Sequence, residues 1–205
     1  MARQQQHGKL PPGITVFTCS LSDFFIADAD PWRDEAWDII RTTPTLTYQI
    51  LTKRPVLIPR RLPPDWGDGW PNCWLGVTVE SRAYLGRLDM LRRIPAAVRF
   101  VSLEPLLEDL GELDLRGFHW AIIGGESGPK RRRTCEVEWI RNAVRQCEAQ
   151  GVAIFVKQDS ASLRGRQGRL PDRLPERGRL RGAECLQRAR KVRRAARRRE
   201  QRRWE

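Results

Sequence analysis

The chain has 205 residues and a formal net charge of +13, from 38 Lys and Arg against 25 Asp and Glu. That length fits one domain, or one domain with a tail, and no apolar run approaches the roughly 20 residues of a membrane-spanning helix. Five widely spaced cysteines (Cys19, Cys73, Cys135, Cys147 and Cys185) with no secretory signal ahead of them argue against a disulfide framework and for a reducing cytoplasm.

The charge is unevenly spread. Residues 164–205 hold 17 Arg or Lys and 5 Asp or Glu, a net of +12, which leaves +1 for residues 1–163. The basic character therefore belongs to the tail rather than to a face of the folded part. No two cysteines lie within three residues of each other, so their spacing encodes neither a zinc site nor an iron–sulfur cluster, and no metal ligands are assigned.

Taken in order, residues 1–13 are polar, with prolines near the end and no core-facing pattern, and are expected to form a disordered lead-in. Ile14 to Cys19 is a short apolar, β-branched run that reads as a strand and delivers Ser20, Ser22 and Asp23. Pro31 to Thr43 carries Trp32, Ala36, Trp37, Ile39 and Ile40 at helical spacing, with Asp30 as N-cap and Pro31 in the first turn. The next strand, Thr47 to Leu51, ends in Thr52, Lys53, Arg54 and Pro55. Val56 to Asn72 is rich in Pro, Gly and Trp and reads as a loop with room for one helical turn.

Cys73 to Val79 is the third strand and ends at Glu80. Ser81 to Ile94 sets Tyr84, Leu85, Leu88 and Leu91 at helical spacing. Val98 to Val101 is the fourth strand, ending in Ser102, Leu103, Glu104 and Pro105, and a loop from Leu106 to Gly117 follows. Trp120 to Ile123, the fifth strand, stops at Gly124 and Gly125, which bring in Glu126 and Ser127. Glycines at that point remove Cβ atoms and let another backbone or a ligand come close. Glu136 to Gln150 is a helix with Val137, Ile140, Val144 and Cys147 on one face and Gly151 as its C′ residue. Val152 to Val156, the last strand, ends in Lys157, Gln158 and Asp159.

Short strands separated by helices and loops imply right-handed βαβ crossovers and a parallel sheet. Each strand also ends in polar residues capable of chemistry, which is what a barrel or open sheet with one active face produces. A complete (β/α)₈ barrel needs about 250 residues. The fold class is therefore α/β: a partial (β/α) barrel or open parallel sheet of about six strands over residues 14–163. A disordered or helical basic tail is expected over 164–205.

Six blocks in order resemble one family: Phe17–Phe25 (FTCSLSDFF), Gln49–Pro55 (QILTKRP), Trp74–Glu80 (WLGVTVE), Arg99–Leu107 (RFVSLEPLL), Trp120–Gly128 (WAIIGGESG) and Ile154–Gln158 (IFVKQ). Gln167–Leu174 (QGRLPDRL) looks like a further block. The family is the phage-associated gp-thirty-seven/gp-sixty-eight family, a domain of unknown function related to radical S-adenosylmethionine proteins. The resemblance implies a [4Fe–4S] cluster on three closely spaced cysteines ahead of these blocks, with S-adenosylmethionine bound beside it. Met1 to Gly13 contains no cysteine, so the chain is expected to be an N-terminally truncated member with a diverged, arginine-rich C-terminus.

On that resemblance, Gly124, Gly125, Glu126 and Ser127 would receive the cofactor's methionyl part, with Glu126 on its ammonium group. Glu104 would contact a ribose or the substrate, or else pair with Lys53 or Arg54. Ser20, Ser22, Asp23, Thr52, Lys53, Glu80, Ser102, Lys157 and Gln158 are the candidate substrate-binding residues, the two lysines suiting an anionic substrate. His7 and His119 are the only histidines and neither follows a strand, so no general acid or base is assigned.

Three functional expectations follow. The first is a radical S-adenosylmethionine-like protein of uncharacterised reaction, inactive as a radical enzyme because the cluster cysteines are missing. The second is a nucleic-acid-binding protein working non-specifically through Arg193, Arg194, Arg197, Arg198 and Arg199. The third is a degenerate prophage fragment without activity.

Overall fold

A computed structural model describes residues 14–128 and 132–160. The expected lead-in and the arginine-rich tail, including Arg193 to Arg199, lie outside the described residues.

Among the described residues, six strands form one all-parallel sheet in chain order: β1 (Thr15–Thr18), β2 (Thr47–Thr52), β3 (Cys73–Thr78), β4 (Val98–Leu103), β5 (Trp120–Gly124) and β6 (Ala153–Gln158). The sheet curls into a half-barrel, so the α/β partial-barrel expectation holds. Parallel neighbours need crossovers. Helix α1 (Asp30–Thr42) joins β1 to β2, α2 (Gly86–Arg92) lies between β3 and β4, and α3 (Val137–Ala149) between β5 and β6. The Trp-rich connection from β2 to β3 holds a 3-10 turn at Pro55–Arg60. The β4 to β5 connection contains no helix.

Period-two alternation gives the sheet two unlike faces. On the outer face, Ile50, Leu75, Val101, Ile123 and Val156 join Trp37, Leu91 and Ile140 of the helices in one large core. The inner face carries a smaller apolar cluster of Trp74, Val98, Phe100, Trp120, Ile122 and Ala153. Trp120 packs edge-on to Trp74 at 6.1 Å and against Phe100 at 5.6 Å. The indole N–H groups of Trp74 and Trp120 are buried there without a partner among the described residues.

Room for this aromatic floor comes from Gly76, register partner of Phe100 on the next strand. A Cβ at position 76 would lie 2.3–2.5 Å from three atoms of the Phe100 ring. The glycine therefore lets the ring lie flat across the neighbouring backbone.

Some sequence expectations shift. Asp30 is the first residue of α1 and not its cap; Ala29 precedes it with no side-chain cap bond. Trp32 and Ile39, expected on the core-facing stripe, are exposed, whereas Arg33 is buried and donates to the carbonyls of Phe24 and Ile26. The continuous helix expected from Ser81 to Ile94 divides into a 3-10 turn at Arg82–Tyr84 and the short α2. At the end of α3 the expected C′ glycine is present: Gly151 has φ +69°, and Val152 N–H donates to Cys147 O at 2.9 Å.

Gly76→Ala is expected to lower stability by about 1–3 kcal/mol through overpacking. Urea denaturation followed by circular dichroism measures it, and pairing Gly76→Ala with Phe100→Leu should recover part of the loss. A Gly76→Ala protein as stable as the parent would refute the close contact.

Candidate functional site

Because the strands are parallel, their C-terminal ends share one rim, and the polar residues that end them meet there. Asp23, just after β1, is buried and accepts four hydrogen bonds. The donors are Phe25 N at 3.0 Å, Thr52 Oγ1 at 2.7 Å, Lys53 N at 3.0 Å and Arg54 Nη1 at 3.0 Å. Burial alone would raise its pKa; these bonds outweigh burial and hold the carboxyl below its ordinary value. Asp23 thus ties the chain leaving β1 to the end of β2.

A second cluster spans β2 and β3. Glu80 is buried and bridges Lys53 Nζ on Oε1 at 2.5 Å and Arg87 Nη1 on Oε2 at 2.9 Å. Arg87, from α2, lies over the Tyr84 ring and also donates to Thr78 O. In the third cluster Glu104 Oε1 accepts from Lys157 Nζ and from Gln158 Nε2, both at 2.8 Å. Its partner is thus Lys157 from β6, while Lys53 and Arg54 go to other acids. Thr78 and Ser102 are register partners on the inner face, both buried.

The two glycines ending β5 differ in what they do. A Cβ on Gly125 would come within 2.6 Å of Ser160 N, 2.8 Å of Asp159 C and 2.9 Å of Cys135 Cβ, so its packing partner is protein backbone. A Cβ on Gly124 would meet Gln158 O at 3.3 Å and Glu104 Cδ at 3.5 Å, beside the third cluster. Glu126 turns to Arg133, which donates Nε to Oε2 at 3.0 Å and Nη2 to Oε1 at 2.7 Å. That guanidinium holds the Glu126 carboxyl down at about 2. Ser127 is exposed, as are Ser20 and Ser22 in the turn after β1.

A cleft of about 580 Å³ opens on this rim over β1 to β4. Its walls include Phe17, Ser22, Leu51, Lys53, Arg54 and Glu104. The structure thus joins Asp23 to Thr52, Lys53 to Glu80, and Glu104 to Lys157 and Gln158; Glu126 and Ser127 stand at the same end of the sheet but outside these clusters. Arg87 and Arg133 were not anticipated, because each meets its acid only through the fold. His119 accepts from Arg99 N on Nδ1 at 3.0 Å at the opposite end, next to the start of β5.

Among the described residues no three His, Cys, Asp or Glu side chains form a group able to hold a metal ion, and no helix is long and apolar enough to cross a membrane. Of the four described thiols, Cys19 alone is exposed. Burial pushes Cys135 up to about 11 and Cys147 up to about 12, so both stay protonated near neutral pH.

Residues 4–204 match the family described as a protein of unknown function, DUF5131, and the chain belongs to that family. No curated protein and no solved structure matches it.

Asp23 sets the sign of one acid response. Its folded pKa lies below the unfolded value, so its contribution is complete above about pH 4 and is lost as pH falls through the folded pKa. Asp23→Asn is expected to cost about 1–3 kcal/mol at pH 7 and to flatten the acid limb of the stability curve. Urea titrations between pH 2 and pH 7 measure both. An acid limb unchanged by the substitution would remove Asp23 from this role.

Proposed function

We propose that this chain is a ligand-binding half-barrel of the radical S-adenosylmethionine type, binding a small molecule at the strand C-terminal rim without performing radical chemistry by itself. The observation that supports this most is the cleft on that rim, bordered by three acid-centred clusters from five of the six strand ends. Ligand sites in parallel α/β sheets lie at this end. The phage gp-thirty-seven/gp-sixty-eight resemblance names S-adenosylmethionine as the ligand.

The residues fit that molecule and its usual cluster unequally. Among the described residues both bonds of Glu104 fall on Oε1, which leaves Oε2 to a hydroxyl or ammonium donor. A [4Fe–4S] cluster does not fit the described thiols: Cys73, Cys135 and Cys147 are buried, on the third strand, beside Gly125 and on α3. Among the described thiols Cys19 stands alone at the rim. What the chain's own groups do is bind and orient. Lys157 and Gln158 fix the Glu104 carboxylate, Asp23 fixes the β2 end, and Glu80 fixes Lys53.

Titration of the full chain with S-adenosylmethionine is expected to give saturable micromolar binding, weakened about tenfold by Glu104→Gln, as loss of a charge-assisted hydrogen bond implies. Iron and sulfide reconstitution should leave no iron–sulfur absorption. No saturation at millimolar ligand would overturn the cofactor reading, and a stable cluster band would overturn the statement about radical chemistry.

The charge of residues 164–205 favours a second reading, non-specific nucleic-acid binding through that tail. Removing 164–205 should abolish low-salt DNA and RNA binding while leaving the melting of the half-barrel unchanged. Equal affinity with and without the tail would end this reading.

A further inference from the structure

Lys53 and Arg54 follow β2 directly and both line the cleft. Each is tethered from behind by a buried acid through a single bond: Lys53 Nζ to Glu80 Oε1, and Arg54 Nη1 to Asp23 Oδ2. An ammonium has three N–H donors and a guanidinium five, so most of their donors are not used by these tethers. Their side chains are 51% and 45% exposed, unlike the acids beneath them. The acids meanwhile have other partners. Arg87 holds Glu80, while Thr52 and two backbone N–H groups hold Asp23. Counting the charged groups of the three clusters, the cations Lys53, Arg54, Arg87 and Lys157 exceed the anions Asp23, Glu80 and Glu104 by one.

The same wall has an apolar side. Phe17 is 44% exposed and lines the cleft with Leu51, the two strands being register neighbours. A cleft of about 580 Å³ has the size of a site for a drug-sized organic molecule.

We propose that Lys53 and Arg54 form an oxyanion receptor on the β1–β2 side of the cleft. It takes the phosphate or carboxylate of an organic anion whose apolar body lies on Phe17 and Leu51. Tethering keeps both cations in place before the ligand arrives, so binding orders little. The single excess positive charge suits one anionic group. This inference rests on the rim being a ligand site, as proposed above, but not on S-adenosylmethionine being what binds there.

The test uses the full chain at physiological ionic strength, titrated with naphthyl phosphate, naphthoate, naphthalenemethanol and inorganic phosphate. Affinity is read by calorimetry and location by the backbone amide shifts of Lys53 and Arg54. The arginine-rich tail also attracts anions, so the deciding quantity is the difference between parent and variant. Naphthyl phosphate or naphthoate is expected to bind and shift both amides, the tighter of the two identifying the anion. Lys53→Gln and Arg54→Gln should each weaken it about tenfold. Lys53→Gln should melt close to the parent because Glu80 keeps Arg87, and Arg54→Gln somewhat lower, though still folded, because Asp23 keeps only neutral donors. Inorganic phosphate should bind more weakly, and Phe17→Ser should weaken the naphthyl probes but not inorganic phosphate. Affinity unchanged in both cation variants, or equal binding of neutral naphthalenemethanol, overturns the receptor. A chain that binds S-adenosylmethionine but neither naphthyl anion overturns this inference alone. One that binds a naphthyl anion through Lys53 but not S-adenosylmethionine overturns only the cofactor reading.

Discussion

Parallel pairing in chain order is the constraint on which the site depends. When each strand pairs with the next one in sequence, every strand leaves the sheet at the same edge. The polar residues that stop the strands are then neighbours without any further instruction. Gly76 contributes at the level of packing. By letting the Phe100 ring lie over the β3 backbone, it allows the inner face to close on aromatic side chains below the rim. The apolar floor and the polar layer above it are successive positions of the same alternation: Gly76 then Thr78 on one strand, Phe100 then Ser102 on its neighbour.

The rim's electrostatics follow a consistent rule. Buried carboxylates are costly unless paired and hydrogen-bonded. Asp23 meets that condition with four donors and Glu80 with two; of their cationic partners, Lys53 and Arg54 remain about half exposed, while Arg87 is largely buried. The asymmetry matters for function. An acid that is buried and held by several donors is structural, and a cation that uses one donor is left with others for a ligand. Glu104 reverses the arrangement at β4: among the described residues Lys157 and Gln158 both bond its Oε1, and none bonds its second oxygen.

Much of this was legible from local pattern. The six strands, the helix over Val137–Ala149 and its Gly151 stop are all decided by neighbours a few residues away. Which end of each strand bears the polar residues is local as well. The pairings are not: Lys53 meets Glu80 across 27 residues and Glu104 meets Lys157 across 53. Sequence offered Lys53 or Arg54 as partners for Glu104, and only the position of β6 beside β5 brings Lys157 there. Trp32 misled for a related reason. Helical spacing places it near the apolar stripe, but the turn before α1 uses Arg33 to bind two carbonyls, and that rotates Arg33 inward and Trp32 outward.

The paired glycines after Ile123 show why a motif needs its packing before it is given a role. Both invite the reading that a ligand approaches the backbone. For Gly125 the space is already taken by the chain at Asp159 and Ser160 and by Cys135, so a side chain is excluded by the protein itself. A Cβ on Gly124 would lie 3.3 Å from Gln158 O, a tight approach, and 3.5 Å from Glu104 Cδ and Lys157 Cβ, which is ordinary contact. Of the two, Gly124 is the one whose near neighbours include a side-chain carboxylate. What separates the two acids at this end is their bonding: both Glu126 oxygens are engaged by Arg133, whereas among the described residues both Glu104 bonds fall on Oε1.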